Sequence, residues 1–125
     1  MIKERIDGLG EFELFEGYII GRIDDGVNAG SNFVDTLSEL MQKHYHGRPI
    51  IYISDRVNSY SLDPVATMAL IERNNIRFAG VVTYTKRQKN IYSIEESIIN
   101  GITMCCFVSL ETALAWAKQK LPEAS

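Results

Sequence analysis

The chain has 125 residues, 46% of them hydrophobic and 23% charged, with a net charge of −3 and a pI near 5.4. That length predicts one domain over 1–125 with a core that needs no staple, and the acidic balance argues against nucleic acid or an anionic membrane as the main partner. No apolar run approaches the ~18 residues of a membrane span, so no membrane insertion is expected.

In chain order, the opening Met1-Ile2-Lys3-Glu4-Arg5-Ile6-Asp7 is too charged for a signal peptide. Glu11-Phe12-Glu13-Leu14 alternates polar and apolar as a half-buried strand does. Glu16-Gly17 offers a tight turn, and Tyr18-Ile19-Ile20-Gly21-Arg22-Ile23 returns as a second strand that Asp24-Asp25-Gly26 ends. A helix is predicted from Ser31, read as its cap, through Phe33, Leu37, Leu40, Met41 and His44 at spacings of three and four. Gly47 suits its left-handed end and Pro49 stops it.

Ile50-Ile51-Tyr52-Ile53 is a continuous apolar run, the pattern of a parallel strand covered on both faces. The polar stretch Ser54 to Ser61 leads to a second helix at Asp63-Pro64, with Val65, Met68, Ala69 and Leu70 as its apolar side and Asn74-Asn75 as its end. Ile76 to Val82 is the next strand. A basic turn follows, then a third helix marked by Ile91, Ile94 and Ile98 and closed by Gly101. Ile102 to Val108 is the last strand. Ser109 caps a final helix in which Leu110, Ala113, Leu114, Ala117 and Leu121 form one stripe, with Leu114 at its centre.

The order ββαβαβαβα predicts an α/β fold: a mixed, mostly parallel five-stranded sheet with four helices and right-handed crossovers. Ligands of such sheets bind outside the carboxyl ends of the strands. Two polar loops emerge there, Ser54 to Ser61 and Tyr84 to Lys89. Arg56, Lys86, Arg87 and Lys89 are candidates to hold an anion together, helped by the positive end of the second helix; the alternative is a solvated basic turn. Ser59 and Ser61 are candidate phosphate acceptors, because negative charge at a helix N-terminus is stabilised; the alternative is that Ser61 caps the helix.

No catalytic or metal constellation is evident. His44 and His46 stand two apart, a spacing at which helical residues do not face one another. Cys105 and Cys106 are adjacent, which disfavours a bridge between them, and sit in an apolar run where cysteine packs as a small hydrophobe; a cytoplasmic protein is expected. Gly8-x-Gly10 lacks both the third glycine and the preceding strand of a phosphate loop, so no cofactor and no metal are expected.

The element order, together with the closing stretch Cys106-Phe107-Val108-Ser109-Leu110-Glu111-Thr112-Ala113-Leu114-Ala115-Trp116, resembles the STAS domains, the anti-sigma-factor antagonist family, with the SEC14-like lipid-binding domains distantly similar. The resemblance implies a non-enzymatic regulatory domain. Its partner would be a kinase or an anti-sigma-like regulator, switched by phosphorylation in the loop before the second helix. Where the family carries Asp-Ser-Ser/Thr-Gly, this chain has Asn58-Ser59-Tyr60-Ser61, with Asn58 in place of the aspartate and no glycine. Carried over, Ser59, Ser61, Asp55 and Asn58 become the candidate phospho-acceptor or partner-binding residues. The alternative function is a small-molecule or lipid binder with a pocket at the same edge.

Overall fold

The computed structural model describes residues 1–124. Its elements are β1 (Ile2–Ile6), β2 (Gly10–Phe15), β3 (Tyr18–Ile23), β4 (Asn28–Ala29), α1 (Ser31–Tyr45), β5 (Ile50–Asp55), β6 (Ser61–Leu62), α2 (Pro64–Arg73), β7 (Ile76–Val82), α3 (Lys86–Ile98), β8 (Thr103–Phe107) and α4 (Leu110–Ala124). The main sheet runs β1-β2-β3-β5-β7-β8. Its first three strands form an antiparallel meander, and β3, β5, β7 and β8 are parallel. The α/β class holds, but the sheet has six strands rather than five. A short parallel pair, β4 with β6, stands apart from it.

Glu4 is the reason β1 does not read as a strand. Glu4 lies opposite Phe12, on the face that Phe12 and Leu14 bury, so the expected apolar alternation breaks at its middle. There it meets His44, whose Nε2 lies 3.7 Å from its carboxylate. The opposite face of the meander carries Lys3, Arg5, Glu11, Glu13 and Arg22, with Arg5 paired to Asp24 at 2.5 Å and Arg22 paired to Glu13. A charged, solvated face of this kind is normal for antiparallel strands and impossible for the doubly covered β5.

On one face α1 and α2 pack over Phe12, Ile19 and Ile50, with Leu37 and Met41 of α1 almost fully buried. The other face is covered by α4 alone, through Ala113 and Ala117 against Ile51, Ile53 and Val82. The close approach of α4 needs Gly80: a Cβ there would lie 2.9 Å from Ile53 Cδ1 and 3.1 Å from the Trp116 ring. Leu114 is therefore half-buried beside the contact, and the two alanines are its centre, because helix and sheet come together too closely for a leucine between them. Gly17 turns the β2–β3 hairpin with φ +84°.

Several ends differ from expectation. Gly30, not Ser31, is the N-cap of α1, with no side-chain cap bond, and α1 closes on left-handed His46 one residue before Gly47. Asp63 accepts from Val65 N and caps α2 ahead of Pro64, as the Asp63-Pro64 pair leads one to expect, whereas Ser61 lies in β6 and does not cap it. In α2 the buried side is Ala66, Leu70 and Ile71, while Val65 is exposed. Lys86 to Lys89 is no turn but the first turn of α3, set by a capping box between Thr85 and Gln88. That helix buries Tyr92 and Glu95 and leaves Ile91, Ile94 and Ile98 in solvent. Ser109 does cap α4, accepting from Thr112 N at 3.2 Å.

Each of the six tyrosines has its phenol pKa raised, with burial as the leading cause throughout. Tyr45 is pushed up to about 12 by burial, its hydroxyl lying 2.7 Å from the Phe15 carbonyl oxygen and 2.9 Å from that of Tyr18. A raised folded-state value means the unfolded chain releases protons first, so stability is complete below the ordinary tyrosine value near 10 and falls above it. An ultraviolet titration should find little phenolate in the folded protein at pH 10 and a cooperative rise on alkaline unfolding. Normal titration of most phenols while circular dichroism stays native would refute this.

Candidate functional site

At the carboxyl ends of β5 and β7 the chain leaves an open groove of about 480 Å³, lined by Arg56, Asn58, Ser59, Tyr60, Ser61, Leu62, Thr85, Arg87, Gln88, Ile91 and Glu95. Its floor is an ion pair. Arg56 donates from both terminal nitrogens to Glu95, at 3.0 and 2.5 Å, and both side chains are more than nine-tenths buried. Burial opposes the charge on Arg56, but the bonds to Glu95 prevail and hold its pKa above the ordinary arginine value. Arg56 Nε also reaches Ser54 Oγ at 3.3 Å, and Ser54 Oγ lies 3.2 Å from the Tyr60 hydroxyl.

Each wall is fixed by local bonds. Asn58 Nδ2 donates to the Ile23 carbonyl at 3.0 Å, tying the loop after β5 to the end of β3. Ser59 N donates to Asp25 Oδ1 at 2.7 Å, and Ser61 Oγ bonds Asn28 Oδ1. Gln88 holds the α3 side: its amide donates to the Arg56 carbonyl at 2.7 Å while its oxygen accepts from Tyr84 N. The hydroxyls of Ser59 and Ser61 belong to exposed residues on the groove wall.

Five of the residues singled out from sequence therefore meet here: Arg56, Asn58, Ser59, Ser61 and Arg87. Asp55 does not. It points to the other face of the sheet, where its buried carboxylate accepts from Arg22 Nε at 2.8 Å and from the Tyr84 hydroxyl at 2.5 Å. Burial and that bond push Tyr84 up to about 12. The four-cation anion cluster does not assemble either. Arg56 is engaged by Glu95, and Lys86 and Lys89 are exposed and do not line the groove, leaving Arg87 as its outer cation. The positive end of α2 is occupied by Asp63.

Beside the ion pair lies a small cavity of about 50 Å³, lined by Tyr52, Ser54, Arg56, Tyr60 and Glu95 and by the apolar Leu70, Ile71, Val81, Ile99 and Met104. It has room for a few waters and falls well short of the roughly 300–1,000 Å³ of a ligand pocket. A second open cleft, about 580 Å³, lies at the opposite edge of the sheet beside His44, Tyr45 and Arg48. Tyr45 and Arg48 are spent there on backbone carbonyls.

No family model matches the sequence, and no curated protein or solved structure is significantly similar to it. The chemistry of the groove has to speak alone. Neither histidine lines it, neither cysteine does, and among the described residues no group of histidine, cysteine and carboxylate side chains is placed to hold a metal. Both cysteines are free thiols, and the Cys105 thiol is pushed up by burial, against any nucleophilic use. The groove presents hydroxyls, an amide and an exposed guanidinium over the buried ion pair.

Sequence reasoning missed Glu95, Tyr60 and Gln88. Glu95 falls on the stripe Tyr92-Glu95-Ile99 at spacings of three and four, and all three are buried. That periodicity was the available signal, outweighed by the louder but solvent-facing isoleucines.

Proposed function

We propose that the protein is a non-catalytic, STAS-like regulatory domain that docks a partner protein on the groove between the loop after β5 and the start of α3. The observation that supports this reading is the convergence of Asn58, Ser59, Ser61 and Arg87 over the buried Arg56–Glu95 pair, at the edge where parallel sheets receive ligands. The groove also opens onto apolar surface. Ile91 lines it, and Ile94 and Ile98 continue along the same helix side, all three exposed. Exposed apolar surface rimmed by polar groups is the character of a protein-binding site.

A tagged full-length chain and its Arg87→Glu, Ile94→Lys and Ser59→Asp variants would be used to retrieve partners from the native organism. All three sites are exposed, so folding should be unchanged. A partner bound by the natural chain and lost from Arg87→Glu and Ile94→Lys supports the proposal; one that binds all four chains equally refutes it. Ser59→Asp reports on the phosphoswitch, and Ser59→Ala alongside it separates added charge from the lost hydroxyl.

A second reading, a small ligand that enters past Tyr60 and Arg56, requires the cavity beside the ion pair to open beyond its present volume. Native mass spectrometry of the gently purified chain distinguishes it. A bound mass that disappears on filling the cavity by Ala79→Leu favours the small ligand.

A further inference from the structure

The two edges of the sheet are guarded differently. The β1 edge carries Lys3, Glu4 and Arg5 in succession, and charges of that kind keep a strand from recruiting another. The β8 edge reads Thr103-Met104-Cys105-Cys106-Phe107, with no charge and no proline, and no strand pairs with its outer side. The Phe107 carbonyl accepts from Thr83 N, toward β7. By alternation the peptide groups of Met104 and Cys106 turn outward, unsatisfied by the sheet. Water or another strand completes such a row, and an uncharged edge does nothing to keep a strand away.

Which strand it is follows from α3, the helix that packs on β8. Lys89, Tyr92, Ser93 and Glu96 share one side of it, at spacings of three, four and seven. Tyr92 donates to Glu96 at 2.8 Å and lies near Cys105 and Cys106, so this side overlooks the β8 edge. Lys89 and Glu96 are both exposed, and neither forms an ion pair among the described residues. They stand symmetrically about the midpoint between Tyr92 and Ser93, near the middle of α3 (Lys86–Ile98), as Cys105 is the middle residue of β8 (Thr103–Phe107). A two-fold axis through Cys105 runs the second α3 antiparallel to the first and sets Lys89 of each copy against Glu96 of the other. Pairing of β1 with its own copy about Glu4 would instead oppose Glu4 to Glu4 and Lys3 to Arg5, like charge against like.

We propose that two copies of this chain pair through β8, antiparallel about Cys105, joining their sheets into one continuous twelve-stranded sheet. Met104 of each copy exchanges hydrogen bonds with Cys106 of the other, and Cys105 faces Cys105 as a non-hydrogen-bonded pair. The Cα atoms of such a pair lie about 4.5 Å apart, within the span a disulfide accepts. This interface leaves the groove free and does not depend on the function proposed for it.

Sedimentation of the reduced protein should give a species of twice the 14.1 kDa chain mass that dissociates on dilution and in high salt. Lys89→Glu alone and Glu96→Lys alone should each weaken it, and the double exchange should restore it; because Glu96 accepts from the buried Tyr92 hydroxyl, Glu96→Gln, which keeps an acceptor there, controls for any loss of fold. Diamide oxidation takes two electrons and two protons from a pair of thiols. It should crosslink the natural chain and Cys106→Ser but not Cys105→Ser. Exchange of the Met104 and Cys106 amides should quicken about tenfold when the dimer is diluted to monomer. A natural chain that stays monomeric to millimolar concentration overturns the proposal, as does a dimer that crosslinks through Cys106 or ignores both charge variants.

Discussion

Replacing Glu95 by alanine is expected to lower the unfolding free energy by about 3–5 kcal/mol, the cost of leaving one member of a buried ion pair uncompensated. Glu95 is the only carboxylate bonded to Arg56 among the described residues. The guanidinium that remains would face Tyr60, Ser54 and an apolar wall of Val81, Ile99 and Met104. Arginine keeps its charge at any accessible pH, so the strain cannot be relieved by losing a proton. The pair itself is another matter. Removing both charges together, as Arg56→Met with Glu95→Leu, also removes the desolvation that the pair must overcome, and such replacements are often neutral. The double variant should therefore recover most of what the single one loses. Urea unfolding with the slope checked between variants measures this. A loss under about 1 kcal/mol for Glu95→Ala would mean that Arg56 swings out into the groove, and the floor is then mobile rather than rigid. A stable double variant that no longer binds the partner of the natural chain would separate the pair's part in recognition from its part in folding.

The elements legible in the sequence are those whose burial is simple. Ile50 to Ile53 reads as a covered strand because three of its four residues are almost fully buried, and α1 reads as a helix because Phe33, Leu37 and Met41 repeat its period on one packed side. Pattern fails where burial and polarity part company. Glu4 sits on the covered side of β1, Glu95 on that of α3, and Val65 and Ile94 stand in water. Most of these inversions belong to a place with a partner: Glu4 has His44, Glu95 has Arg56, and Ile94 follows Ile91 of the groove along α3; exposed Val65 has no such place. The site residues on the loop after β5 were readable because a buried strand ending in polar loop text fixes a sheet edge. The basic run was misplaced because the Thr85–Gln88 capping box turns it into helix, which aims Lys86 and Lys89 away from Arg87's groove.

Phe12→Ala is expected to cost about 3–5 kcal/mol, the range for a buried phenylalanine, and to fall toward the upper end of it. The ring is fully buried at the middle of β2. Its neighbour across the strand pair is Gly21, which has no side chain to lean into the space. A Cβ on Gly21 would lie 3.1 Å from the Phe12 ring and in hard contact with the Tyr52 hydroxyl, so ring, glycine and phenol already fill the site between them. Collapse after truncation would have to bring in Tyr52, a residue held in β5 between two other strands. A cavity that cannot close keeps its whole penalty. The comparison is Leu114→Ala in α4, half-buried beside the contact that Ala113 and Ala117 make with the sheet, which should cost clearly less. Thermal and urea unfolding of both variants rank the two positions. If Leu114→Ala proves the more damaging, α4 presses on the sheet through its leucines and the close contact at Gly80 is not the centre of that interface. If Phe12→Ala costs under about 2 kcal/mol, the Tyr52 ring moves into the gap. That outcome would open the cavity beside Arg56 further, and the small-ligand reading of the groove would gain the volume it now lacks.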